Sequence, residues 1–127
     1  MSAGLLDTSV VVSGLDEPEA AALPDELAIS VMTIGELHAG VLSARTAKTR
    51  AARLQRLTDV EREFAILDID VGVAQKFGEL RAQSGRRGVG DLLIAATALR
   101  HGLTLVTRDE RQARLVKGTV LFGAPAR

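Results

Sequence analysis

Four carboxylates stand beside short apolar stretches of the chain. Asp7 follows Gly4-Leu5-Leu6, and Glu36 comes shortly after Leu27-Ala28-Ile29-Ser30-Val31. Asp91 precedes Leu92-Leu93-Ile94-Ala95-Ala96, and Asp109 follows Leu103 to Thr107. Carboxylates brought together repel one another and lose hydration, so a cluster persists chiefly where a cation neutralises it. Oxygen donors without His or Cys suit a hard cation, Mg2+ or Mn2+ rather than Zn2+. Such ions, in pairs about 3.5–4 Å apart, can activate water and stabilise the leaving oxygen of a phosphodiester. Together these acids are suited to metal-dependent phosphodiester cleavage.

The elements that must position them follow from the hydropathy pattern. Gly4 to Leu6 reads as a buried strand, with a helix or turn at Val10-Val11-Val12. An acidic, turn-rich stretch from Asp16 to Pro24 holds a short helix at Glu19 to Leu23. Leu27 to Val31 is a second strand. Thr33 and Glu36 form a capping-box signature for a helix running to about Ala44. A basic helix spans Ala47 to Phe64, with Leu54, Leu57 and Phe64 on its apolar face. Ala65 to Ile69 is a third strand, and Val71 to Gln83 a helix resting on Val73, Phe77 and Leu80. Ser84 to Gly90 is a loop. Asp91 opens a helix that is apolar nearly all round and therefore buried, with Gly102 in the place of its C-terminal stop. Leu103 to Thr107, a short helix at Glu110 to Leu115, and a strand at Thr119 to Phe122 complete the chain. Strands alternating with helices predict an α/β fold with a parallel sheet covered on both faces. No repeat or linker divides residues 1–127, so one domain is expected.

In such sheets, functional groups gather beyond the carboxyl ends of the strands. Asp7, Glu36 and Asp109 fall there directly. The helix opened by Asp91 advances roughly 15 Å, and the following strand returns roughly 16 Å, bringing Asp91 to the same edge. Each acid taken singly also suits a helix cap or a first turn; four together on one edge point to chemistry. Thr8, Ser9 and Thr107 adjoin the acids and can orient a carboxylate, a water or a phosphate, or close local turns. Arg86 and Arg87, just before Asp91, are candidates for phosphate contacts. His38, two residues past Glu36, points away from it, and His101 suits a helix C-terminus. Gly85, Gly88 and Gly90 lack the spacing of a phosphate-cradling loop.

Composition narrows the function further. Residues 1–44 carry seven acids and no Lys or Arg, whereas residues 45–127 carry all 16 basic residues and nine acids. This asymmetry fits a basic surface beside an acidic site, or simply solvated helix faces. Tyr and Trp are absent and there are three Phe, so stacking bases on an aromatic platform is not expected. Absent Cys excludes disulfides and thiolate chemistry and fits a reducing compartment. No apolar run approaches the roughly 20 residues that cross a bilayer, and the first residues do not read as a secretory signal. A cytoplasmic protein that does not engage membranes is expected. A phosphotransfer receiver would want a Lys near the pocket, where Lys117 is poorly placed. An aspartyl-nucleophile phosphatase would want an Asp two residues after Asp7, where Ser9 stands.

The residues resemble a known family. Leu6-Asp7-Thr8-Ser9 with Val10-Val11-Val12 is similar to the opening of a PIN domain, and Thr33-Ile34-Gly35-Glu36-Leu37 with Gly40 to its second acidic motif. Gly90-Asp91-Leu92-Leu93-Ile94-Ala95-Ala96 is similar to the third, and Leu105-Val106-Thr107-Arg108-Asp109 to the fourth. Size and motif order resemble the VapC toxins of bacterial toxin–antitoxin pairs. One departure is the lack of an aromatic after the fourth motif, where Glu110-Arg111-Gln112-Ala113 stands. The resemblance implies a PIN-type three-layer α/β/α sandwich with a central, mainly parallel sheet, and a Mg2+- or Mn2+-dependent endoribonuclease. It implies a VapB-type antitoxin partner and a homodimer. It implies Asp7 and Asp91 as main metal ligands, Glu36 and Asp109 completing the pocket directly or through water, and Thr107 supporting Asp109. Arg86, Arg87 and Arg108 are expected along the RNA backbone. The competing expectation is a PIN-like module that binds RNA or protein without cutting.

Overall fold

The computed structural model describes residues 3–85 and 87–125. Five strands form one sheet: β1 (Ala3–Leu6), β2 (Glu26–Ser30), β3 (Ala65–Leu67), β4 (Thr104–Thr107) and β5 (Thr119–Leu121). Their spatial order is β3-β2-β1-β4-β5, and every pairing is parallel. The chain therefore builds outward from β1 to β3 on one side, then crosses back and adds β4 and β5 on the other. The reversal lies between β1 and β4, which makes their carboxyl ends the switch-point crevice of the sheet.

Among the described residues, seven helices cover the sheet: α1 (Thr8–Ser13), α2 (Glu17–Ala21), α3 (Val31–Leu42), α4 (Ala47–Glu63), α5 (Val71–Ser84), α6 (Val89–His101) and α7 (Glu110–Ala113). Adjacent strand residues face opposite ways, and two cores follow. Leu5 and Leu105 pack with Val73 and Leu80 of α5 and with Leu92, Ile94, Ala95 and Ala98 of α6. Leu6 and Val106 pack on the other face with Val10, Leu37, Val41, Leu57 and Val60 from α1, α3 and α4. The expected α/β/α layering is thus present. Helix α6 is buried along most of its length, and it stops at Gly102, whose φ of 63° is left-handed. A residue without Cβ adopts that conformation at little cost.

Several boundaries differ from expectation. Helix α3 begins at Val31, because the Ser30 hydroxyl accepts from Met32 N and caps it. Thr33 is therefore inside the first turn, not at the cap, and Glu36 belongs to no capping box. The capping box lies instead at α2, where Asp16 accepts from Glu19 N and Glu19 accepts from Asp16 N. On α4, Leu57 and Val60 are buried, whereas Leu54 is 51% exposed. From Asp91 to its end at His101, α6 advances roughly 16 Å, and β4 returns roughly 13 Å, so the two lengths nearly cancel as expected. The register of β4 on β1 completes the positioning: Leu6 sits opposite Val106.

Leu57→Ala should lower the unfolding free energy by about 2–5 kcal/mol, whereas Leu54→Ala should stay within about 0.5 kcal/mol. Urea unfolding midpoints measure both, and equal losses would contradict this division of the α4 face.

Candidate active site

Asp7 N donates to the Val106 carbonyl at 2.8 Å, extending the β1–β4 pairing one residue past the strand. Asp7 occupies the N-cap position of α1, yet its side chain caps nothing. The carboxylate is only 5% exposed. Its Oδ2 accepts two hydroxyl bonds, from Ser9 Oγ at 2.7 Å and from Thr107 Oγ1 at 2.8 Å. Both hydroxyls are held in turn by backbone donors, Arg108 N on Ser9 Oγ and Asp109 N on Thr107 Oγ1. Two strand ends and one helix start thereby share a single carboxylate oxygen.

Asp91 lies in the first turn of α6, which is capped by Gly88. Burial raises its carboxyl above the ordinary range, and the charges of Asp7 and Asp109 push it further the same way. Arg87 and Arg111 oppose that rise. Asp91, Asp109, Arg87 and Arg111, with Gly88, line a cleft of about 160 Å³. Asp109 is the one acid of the four that does cap a helix: its Oδ1 accepts from Arg111 N and Gln112 N at the start of α7.

Glu36 stands to one side of this group. Thr8 Oγ1 donates to Glu36 Oε1 at 2.7 Å, so the Thr33 hydroxyl, 2.9 Å from Thr8 Oγ1, must donate to it. A Cβ on Gly90 would lie 3.4 Å from Glu36 Oε2 and 3.3 Å from Met32 Cε. Glycine there lets the start of α6 approach α3 and places Glu36 beside the residue that precedes Asp91.

The structure adds residues that sequence reasoning missed. Gln112 is fully buried; its Nε2 donates to the Asp91 carbonyl at 2.8 Å, and its Oε1 accepts from Arg87 Nη2 at 3.4 Å. A lone Gln in a four-residue helix carries no signal of such a role. Thr33 did carry a signal, which pointed to a cap. Of the expected phosphate-binding arginines, Arg86 lies outside the described residues. Arg108 is corrected: its side chain is 6% exposed and paired with Glu19 at 2.7 Å. It also donates to Ser13 Oγ and to the carbonyls of Gly14 and Gly123. That guanidinium ties α1, α2 and the segment after β5 together and has no face left for a phosphate. His38 and His101 are exposed.

The donor types fit a hard divalent cation: carboxylate and hydroxyl oxygens, with like charges raising Asp91. Among the described residues, no three His, Cys, Asp or Glu side chains form a ready-made ligand group. A cation held by one or two of these carboxylates would complete its shell with water or substrate phosphate, the habit of Mg2+.

Residues 4–118 match the PIN domain family. Over 123 residues the chain is 42% identical to Ribonuclease VapC5 of Mycobacterium tuberculosis, covering 90% of this chain and 88% of that protein. Its fold is similar to that of a VapBC-5 toxin–antitoxin family member from the same organism, with a TM-score of 0.82, 38% identity, and coverage of 98% of this chain and 100% of that one. FitAcB from Neisseria gonorrhoeae is similar with a TM-score of 0.76 and 27% identity, over 93% of this chain and 96% of that chain.

The Arg108 pair also sets a pH dependence. The Arg108 hydrogen bonds, then the Asp16 N–H, lower Glu19 from 4.5 to about 2. Its stabilisation is complete above the ordinary carboxyl value and is lost as pH falls toward about 2. Glu19→Gln should therefore flatten the slope of unfolding free energy against pH between about 2 and 4.5. Urea titrations across that window give the slope; one as steep as wild type contradicts the assignment.

Proposed function

The chain belongs to the PIN-domain family, among its VapC ribonucleases, and from that premise we propose that its acidic cleft is where RNA phosphodiester bonds are hydrolysed. The protein is an endoribonuclease toxin of a toxin–antitoxin pair. The observation that carries the site assignment is the convergence of Asp7, Asp91 and Asp109 at the β1–β4 switch, with Asp91 raised by its burial and by the other two acids.

Asp7 and Asp91 are the residues that would hold Mg2+ or Mn2+, with Asp109 and Glu36 beside them, directly or through water. When bound, such an ion supplies Lewis-acid stabilisation of the charge developing on a phosphodiester under attack by water. The chain's own groups prepare the place. Ser9 and Thr107 fix the orientation of Asp7 through Oδ2. Gln112 fixes the backbone at Asp91. Thr8, backed by Thr33, orients Glu36. Arg87 and Arg111 line the same cleft and balance the carboxylates with positive charge that a phosphate can use.

An antitoxin of the VapB type is the expected partner. A groove of about 560 Å³ between α3 and α4 is lined by Val12, Leu37 and Ala52 and rimmed by Lys48 and Arg56. Glu36 forms part of its wall, so a segment seated there reaches the site. Homodimerisation and a cytoplasmic setting belong to the same reading; among the described residues, no helix is long and apolar enough to cross a membrane.

Wild type should cleave RNA when Mg2+ or Mn2+ is added and not in chelator. Asp7→Asn and Asp91→Asn should each lower the rate by on the order of 100-fold or more, the upper range for lost partner groups around metal sites. Cleavage of labelled total RNA, resolved on denaturing gels, measures this. Equal cleavage by wild type and both variants would move the site elsewhere.

A further inference from the structure

We propose that the RNA strand runs from the acidic cleft into a groove between α5 and α7, where Arg87, Arg111 and Arg114 hold the phosphates next to the scissile one. This rests on the ribonuclease reading and adds the path of the substrate. The groove encloses about 440 Å³, and its lining includes Gln83 and Ser84 from the end of α5 together with the three arginines. No acidic side chain is among its described lining residues. It shares Arg87 and Arg111 with the cleft that holds Asp91 and Asp109. The two spaces therefore adjoin at those two arginines, with carboxylates in one and positive charge in the other.

Availability selects this track over the other basic segments. On α4, Arg50 donates to the Ala44 carbonyl, Arg53 to Gly40 and Arg56 to Val11 and Val12. Those arginines serve the ends of α1 and α3. Arg81 donates to the carbonyls of Gly85 and Arg87, and Arg100 pairs with Asp70. Arg108 is committed to Glu19. Arg111 and Arg114 are exposed, and among the described residues no ion pair or side-chain hydrogen bond engages either guanidinium. Among the described residues, the Arg87 side chain makes one long bond, to Gln112, and its Nε is buried without an acceptor. An unpartnered buried donor is costly, and a phosphate oxygen is an acceptor that would satisfy it.

Arg111 and Arg114 stand three residues apart at α7, which puts them on one face. Guanidinium forks suit successive phosphates. No aromatic side chain lines the groove, so it has no platform for bases and holds the backbone whatever the sequence.

The test measures binding apart from cleavage. Fluorescence anisotropy of a labelled single-stranded RNA dodecamer is recorded in chelator across a range of KCl concentrations. Arg114→Gln, which lies outside the cleft, should weaken binding several-fold. It should also make the slope of log K against log salt shallower by about 0.7, the increment for one single-strand phosphate contact. Arg111→Gln/Arg114→Gln should weaken binding roughly 10-fold and change the slope by about twice as much. Arg62→Gln, exposed in the last turn of α4, should leave both unchanged. Unaltered affinity and slope in the double variant, absence of wild-type binding at the lowest salt, or an equal loss in Arg62→Gln overturns the track. Failure of the ribonuclease reading looks different: wild type then binds RNA with the predicted slope and does not cut it when Mg2+ or Mn2+ is supplied. Circular dichroism melts confirm that the exposed substitutions leave the fold intact.

Discussion

The hydrogen bond from Asp7 N to the Val106 carbonyl joins the two strands at which the sheet reverses direction. Everything at the acidic edge depends on that pairing. With Leu6 opposite Val106, the next residues on the two strands are Asp7 and Thr107, and a hydroxyl lands 2.8 Å from a carboxylate oxygen. A slip of one residue would exchange the two faces of β4, sending Leu105 and Val106 into the wrong cores. The hydrophobic requirement that places Leu5 with Leu105 and Leu6 with Val106 is thus the same requirement that builds the site. Stability and function share one register.

The acids gathered there are in electrostatic conflict, and the protein manages it with donors of graded strength. Asp7 is nearly buried and receives two hydroxyls. Asp109 receives two backbone N–H groups from α7. Among the described residues, Asp91 receives neither, and its ionisation is opposed by burial and by the charges of Asp7 and Asp109. Its residual charge is balanced across the cleft by Arg87 and Arg111. The least compensated carboxylate thus sits where cationic groups and open space meet, which is the arrangement an incoming cation or phosphate relieves.

Much of this was legible in the sequence because it rests on local pattern. Alternating apolar runs announced the strands and helices, and the places where those runs end located Asp7, Asp91 and Asp109 at one edge. The resemblance to PIN domains was carried by those same residues. What was not legible required knowing neighbours distant in sequence. Thr33 three residues before Glu36 has the spacing of a capping box, but Ser30 starts the helix earlier, which releases Thr33 to meet Thr8 across 25 positions. Arg108 reads as a free cation beside an acid, yet its partner Glu19 is 89 positions away. Leu54 was expected on the apolar face of α4 with Leu57 and Phe64, whereas packing against β1 and β4 side chains such as Leu6 and Val106 buries Leu57 and Val60. Strand order likewise depends on pairings between segments about 100 positions apart.

On the proposed reading, the acids at the β1–β4 edge form a cation site organised around Asp91 and Asp7. Titration of Mn2+ into the purified protein, followed by calorimetry, tests this without any RNA. Saturable uptake is predicted for wild type, weakened by about 10-fold or more in Asp91→Asn and left unchanged in Glu19→Gln, whose side chain serves Arg108. Uptake by Asp91→Asn equal to that of wild type, or none by either protein, would contradict it.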